Sequence, residues 1–208
     1  MFKRVVLAAL VASLVAPLAA QAPAGWKMRL DHSKSAQDPD DKSGVTFMAK
    51  GRAFHVAGGP AGVYWNPANA ASGNYTLKGT FTLLKPSSHT NYYGLVFGGK
   101  ALEGGDQQYT YFTVAQNGTF LIKQRKGEAT SDIKGYTPNA AVKTPDASGK
   151  SVNALEVRVA GDTVSYVVNG TVVHTTPKSA LSGTDGTVGF RVNHVTEVQV
   201  DGFEVQKS

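Results

Sequence analysis

From about residue 45 onward, apolar and polar residues alternate in short runs, each closed by Gly, Asn, Asp, Ser or Pro. Successive side chains of a strand point to opposite faces, so these runs predict strands with one buried and one wet face. In YTLKGTFTLL (75–84), Tyr75, Leu77, Phe81 and Leu83 oppose Thr76, Lys78, Thr80 and Thr82. TYFTVAQNGTFLIKQ (110–124) predicts a hairpin turning at Asn117-Gly118, and ALEVRVAGDTVSYVVNGTVVHTT (154–176) a three-strand meander turning at Gly161-Asp162 and Asn169-Gly170. Asn-Gly supplies the positive φ values of a type I′ turn. Ten or more short strands without a capped helical run need two sheets, so the expected fold is an all-β antiparallel jelly-roll sandwich. Two stretches, 30–44 and 126–151, break the alternation and read as long loops of the kind that rim binding sites.

The N-terminus follows a different pattern. MFKRVVLAALVASLVAPLAAQAPAG places Lys3 and Arg4 ahead of an apolar run and a string of alanines, the layout of a secretory signal peptide. The run is shorter than the roughly 20 residues of a spanning helix, so the mature chain is expected to have no membrane span. Residues 1–24 are read as the signal, with cleavage near 20–24, and residues 25–208 as a single domain in the periplasm or outside the cell. The chain contains no cysteine, which excludes disulfides, thiolate metal sites and a lipoprotein anchor. The formal charge of +6 is spread along the chain, with KQRK (123–126) the densest cluster. No stripe or module indicates nucleic-acid binding.

Paired carboxylates would suit a glycosidase. On an unbroken strand Glu197 and Asp201 share a face at about 13 Å, too far apart for that chemistry, and Glu204 falls on the other face. Asp38, Asp40 and Asp41 lack the spacing of a calcium loop, the five histidines show no metal-ligand spacing, and no G-x-S-x-G elbow occurs. No metal and no cofactor is therefore expected. Aromatics are the better lead, because sugar C–H faces stack on Tyr rings while their hydroxyls seek amide, Arg and His partners. If Phe112, Val114, Val188, Phe190 and Val192 are core, then Tyr109, Tyr111, Arg191 and Asn193 point away from it. His89, Asn91 and Tyr93 are expected to join them from a neighbouring strand, the competing reading being ordinary cross-strand pairs.

The second half also has a familial look. Residues 153–175, Gly186 to His194 and Val198 to Val205 resemble the closing strands of the concanavalin A-like lectin/glucanase superfamily, nearest to the 3-keto-disaccharide hydrolase domain family. GPAGVYWNPANAASGNYTLKGTFTL and HTNYYGLVFGG are similar to two earlier strands of that family. The family's strand glutamate is Thr80 here, its Gln before the His is Val192 or Asn193, and no Gly follows His194. The resemblance implies a concave sheet face that engages a carbohydrate. Tyr93 and Tyr111 would stack on it, Asn91, Arg125, Arg191, Asn193 and His194 would hydrogen-bond to it, and His89 would stand at the edge. The alternatives are hydrolysis of a glycoside or 3-keto-disaccharide, with His194 and Asp132 or Asp146 carrying protons, or a structural or protein-interaction module of the cell envelope.

Overall fold

The computed structural model describes residues 22–32, 39–41 and 44–207. The expected signal segment up to Gln21 and Asp38 of the acidic cluster lie outside them. Strands β1 (Lys27–Asp31), β2 (Thr46–Lys50), β3 (Ala53–Ala57), β4 (Ala61–Ala71) and β5 (Tyr75–Lys85) form the first half. Next come β6 (Tyr92–Lys100), β7 (Gln108–Ala115), β8 (Thr119–Lys126), β9 (Ala129–Pro138) and β10 (Ser151–Ala160). The chain closes with β11 (Thr163–Val168), β12 (Thr171–Pro177), β13 (Gly186–Val192) and β14 (Glu197–Lys207).

They assemble into two antiparallel seven-stranded sheets, ordered β1-β4-β13-β6-β7-β8-β9 and β12-β11-β10-β5-β14-β3-β2. This is the jelly-roll sandwich that the alternation predicts. Each inner face contributes every second residue to a shared core. On β5, Tyr75, Leu77, Phe81 and Leu83 are buried to within 1% of full exclusion, and they meet Tyr93, Leu95 and Phe112 of the other sheet. At one end Trp26 closes the core against Phe54 and Phe190, at ring separations of 4.2 and 5.4 Å.

Turn chemistry refines three expectations. Asn169 and Gly170 both take positive φ, as a type I′ turn demands. At the β7–β8 hairpin only Gly118 does, and its N–H returns to the Ala115 carbonyl, so Gln116 to Gly118 form a three-residue loop. In β14 a bulge between Asp201 and Glu204, with Gly202 at φ +57°, shifts the register so that Glu204 pairs with Lys78. The extra residue brings Glu204 onto the face of Asp201, which an unbroken strand would not.

The stretch 126–151 is only partly loop, because β9 runs through it as an edge strand bonded to β8. The remainder is tied down by Asn153, which is fully buried: its Oδ1 accepts from the Lys143 N–H at 2.9 Å and from Asn169 Nδ2 at 3.0 Å, and its Nδ2 donates to the Lys143 carbonyl at 3.0 Å. Asn169 Nδ2 in turn donates to the Ala141 carbonyl at 2.7 Å. A buried polar group must be paired, and here the pairing fixes a loop to the core.

The outer face of the first sheet is concave. Asp31 at the end of β1 lies 3.1 Å from Arg125 of β8, although four strands intervene. In a flat sheet five strand spacings would separate them by ~24 Å, beyond the joint reach of the two side chains. Glycine makes close strand approach possible inside this curve: a Cβ on Gly94 would fall 2.2 Å from the Phe112 carbonyl oxygen. Gly94→Ala should therefore cost about 3 kcal/mol, by the usual penalty for overpacking. It should be read as a lowered urea midpoint at unchanged slope.

Candidate functional site

Strand parity decides what the concave face presents. On β7, Phe112 and Val114 enter the core, so Tyr109 and Tyr111 stand on the outer face beside Val63, Trp65, Tyr92 and Val96. On β13, Phe190 and Val192 enter the core and Arg191 faces out. These three outward placements agree with the alternation.

Tyr93 does not join them. It is fully buried between the sheets, ring to ring with Phe81 at 6.0 Å, and its hydroxyl lies 3.5 Å from Ser151 Oγ. β6 sends Tyr93, Leu95 and Phe97 inward, so the tyrosine on the concave face is its neighbour Tyr92. Tyr93 is a core residue and has no place in the site.

The floor of the concavity is an ionic cluster. Asp31 Oδ2 accepts from Arg191 Nη1 at 2.6 Å and from Arg125 Nη1 at 3.1 Å, while Arg29 Nε stands 3.8 Å from Oδ1. Arg191 also donates through Nη1 to the Tyr109 hydroxyl at 3.2 Å and through Nε to Asn193 Oδ1 at 2.9 Å, and its guanidinium covers the Tyr111 ring at 5.3 Å. Burial opposes the charge of Arg191, and the Asp31 carboxylate beside it offsets that penalty. Burial likewise raises Tyr109 and Tyr111 above the ordinary phenol range, so both rings are neutral hydroxyl bearers. Arg29 donates to the Gly104 carbonyl and Arg125 Nε to the Gly127 carbonyl at 3.0 Å. With its amide oxygen turned toward the guanidiniums, buried Gln107 accepts from Arg29 Nη2 at 2.9 Å and from Arg125 Nε at 3.1 Å.

A pocket of about 480 Å³ opens beside this floor, lined by Asn91, Tyr92, Asn117, Tyr136, Asn193 and His194 together with Thr90 and Thr119. Tyr136 of β9 is 64% exposed and lies 5.4 Å from the Tyr92 ring, with Lys123 Nζ 5.3 Å from its centroid. The Tyr92 hydroxyl is fixed by Thr119 Oγ1 at 2.7 Å. Asn91 Nδ2 donates to Ser87 Oγ at 2.8 Å and to the His194 carbonyl at 2.9 Å. Because Asn193 accepts from Arg191 through its oxygen, its two amide N–H groups are turned away from the arginine.

Of the residues expected from sequence, Asn91, Asn193 and His194 thus line one pocket, and Arg191 adjoins it through Asn193. Arg125 belongs to the ionic floor. His89 stands beside the pocket rather than in its lining, half-exposed, with Nε2 3.1 Å from Asn91 Nδ2 and 3.1 Å from Asp40 Oδ2. Tyr111 keeps its face but carries Arg191 on its ring. Asp132 is engaged by Lys123 at 3.1 Å, and Asp146 caps its own turn through the Ser148 hydroxyl and the N–H groups of Lys150 and Ser148, which hold its carboxyl below the usual range. Among the described residues no cluster of three or more His, Cys, Asp or Glu could hold a metal ion, and no helix is long and apolar enough to cross a membrane.

No protein-family model matches the chain, and no curated protein matches it in sequence. Solved structures do match in fold. A carbohydrate-binding module from Bacillus subtilis superposes with a TM-score of 0.63 at 12% identity, covering 88% of this chain and 96% of that one. A Bacillus subtilis protein of unknown function with a galectin-like fold gives 0.62 at 12% identity, covering 88% and 89%. An alginate lyase variant gives 0.52 at 15% identity, covering 88% and 95%. The chain is therefore a β-sandwich of the concanavalin-like, galectin-type architecture.

Several site residues carry no local signal. Tyr136 and Lys123 meet only because 129–138 is a strand, and Asp31 precedes its partner Arg191 by 160 positions. Tyr92 was accessible to parity counting, since Leu95 and Phe97 mark the inward set.

Two outcomes follow. Asp31→Ala leaves Arg191 buried without its counter-charge and should lower stability by about 3–5 kcal/mol in urea denaturation. Val195, which turns the chain beside His194, is β-branched at φ +52°; Val195→Gly should raise stability by about 1 kcal/mol by relieving that conformation.

Proposed function

We propose that the protein is an exported carbohydrate-binding β-sandwich whose sugar site is the pocket between Tyr136, Tyr92 and the amides of Asn91, Asn117 and Asn193. The observation that carries this reading is the exposed Tyr136 ring above a pocket walled by amides and hydroxyls. A sugar ring offers a C–H face to the tyrosine and hydroxyls to the amides, which combine donor and acceptor in one side chain. The carbohydrate-binding module among its structural neighbours supports the same class of ligand. The signal-like N-terminus supports an exported location. Binding is favoured over hydrolysis because Asp31, Asp132 and Asp146 are each engaged by arginine, lysine or their own turn rather than aimed at a common point with His194.

A glycan array probed with the protein tests this directly. Tyr136→Ala should weaken the bound glycan about tenfold or more, equivalent to about 1.4 kcal/mol, with an unchanged melting temperature because the ring is exposed. Asn193→Ala should weaken it to a similar degree. Failure to bind any glycan, or binding indifferent to both substitutions, removes the proposal.

A further inference from the structure

The concave face is more cationic than a neutral sugar requires. Three guanidiniums, those of Arg29, Arg125 and Arg191, converge there, and among the described residues Asp31 is the carboxylate that answers them, leaving a formal excess of two positive charges. Their other acceptors are neutral: the Gly104 and Gly127 carbonyls, the Gln107 amide, the Tyr109 hydroxyl and Asn193 Oδ1. Neutral acceptors satisfy hydrogen bonds without cancelling charge. Charge withdrawn from water is costly until a counter-charge arrives, and low-dielectric walls concentrate its field within the concavity.

The field also has an outlet at the aromatic platform. Lys123 Nζ stands 5.3 Å from the Tyr136 ring centroid, so substituents of a ring stacked there come close to the ammonium. Lys123 and Arg125 are two residues apart on β8 and project from the same face, about 7 Å apart along the strand. The present partner of Lys123, Asp132, is 53% exposed, and an exposed ion pair is weak enough for a ligand anion to replace.

We infer that the sugar bound at Tyr136 is acidic, a uronate unit whose ring stacks on Tyr136 while its carboxylate pairs with Lys123 in the field of the ionic floor. This rests on the carbohydrate-binding reading of the same pocket. A carboxylate answers the surplus charge that a neutral hexose leaves unanswered. Arg125 and Arg191 supply that field as anchors rather than as ligand contacts, being 15% and 8% exposed and both engaged by Asp31.

Isothermal titration with polygalacturonate and alginate, their methyl esters, neutral laminarin and xylan, and dextran sulfate tests the inference. At least one polyuronate should bind tenfold or more tighter than its ester and than both neutral glycans, and its affinity should fall as NaCl rises from 50 to 500 mM. Lys123→Gln should reduce that preference to threefold or less while leaving the melting temperature unchanged; Arg125→Gln should do the same, provided its far-ultraviolet circular dichroism matches the parent. Esters or neutral glycans bound as tightly as the polyuronates overturn the acidic specificity and leave the carbohydrate site standing. Dextran sulfate bound as tightly as the best polyuronate overturns the carboxylate assignment. Absence of binding to every probe here and on the array, with Tyr136→Ala without effect, overturns both readings together.

Discussion

The carboxylate of Asp31 is the contact on which the concave face depends. One oxygen accepts from guanidiniums on β13 and β8, so a residue at the edge of the sheet fixes strands at its centre and toward its far side. Through Arg191 the same contact sets the orientation of Asn193, and through Asn193 it reaches the pocket. Curvature, charge distribution and amide orientation are thus consequences of one anion held among cations. Buried ion pairs contribute little net stability compared with apolar packing, because desolvation offsets attraction. Their value here is geometric: the planar guanidinium imposes direction where an apolar contact would impose only proximity.

How far the sequence foretold this follows from the range of each interaction. Period-two alternation is local, and it predicted the faces of β5, β7 and β13, hence the sandwich and the outward placement of Tyr109, Tyr111 and Arg191. It misleads at β6, where Asn91 and Tyr93 read as outward together although Leu95 and Phe97 mark Tyr93 as inward. Asn91 precedes the strand, and its side chain is captured by the His194 carbonyl rather than by strand geometry. The bulge at Gly202 moved Glu204 to the other face for a similar reason, since one inserted residue inverts every parity that follows it.

The ionic floor could be read from the chain only in part. Arg29 and Asp31 alternate onto one face of β1, but Gln107, Arg125 and Arg191 come from other strands or connections, and nothing in the local spacing brings them to that pair. Tyr136 was hidden differently: its segment, rich in Gly, Asp, Thr and Lys, lacks the apolar alternation of a strand buried on one side. β9 shows why, because it is an edge strand largely exposed on both faces. Strand prediction by burial pattern is weakest at such edges, where backbone pairing to a single neighbour replaces side-chain packing.

That edge position has a consequence for how the aromatic platform behaves. Among the described residues β9 is hydrogen-bonded to β8 on one side and to no strand on the other, while Tyr92, against which Tyr136 leans, is embedded in the middle of the sheet. The pocket is therefore a hinge-like pairing of a fixed wall and a compliant one. A compliant wall can take up small outward movements of a single strand, at the expense of the ordering entropy a rigid wall would already have surrendered.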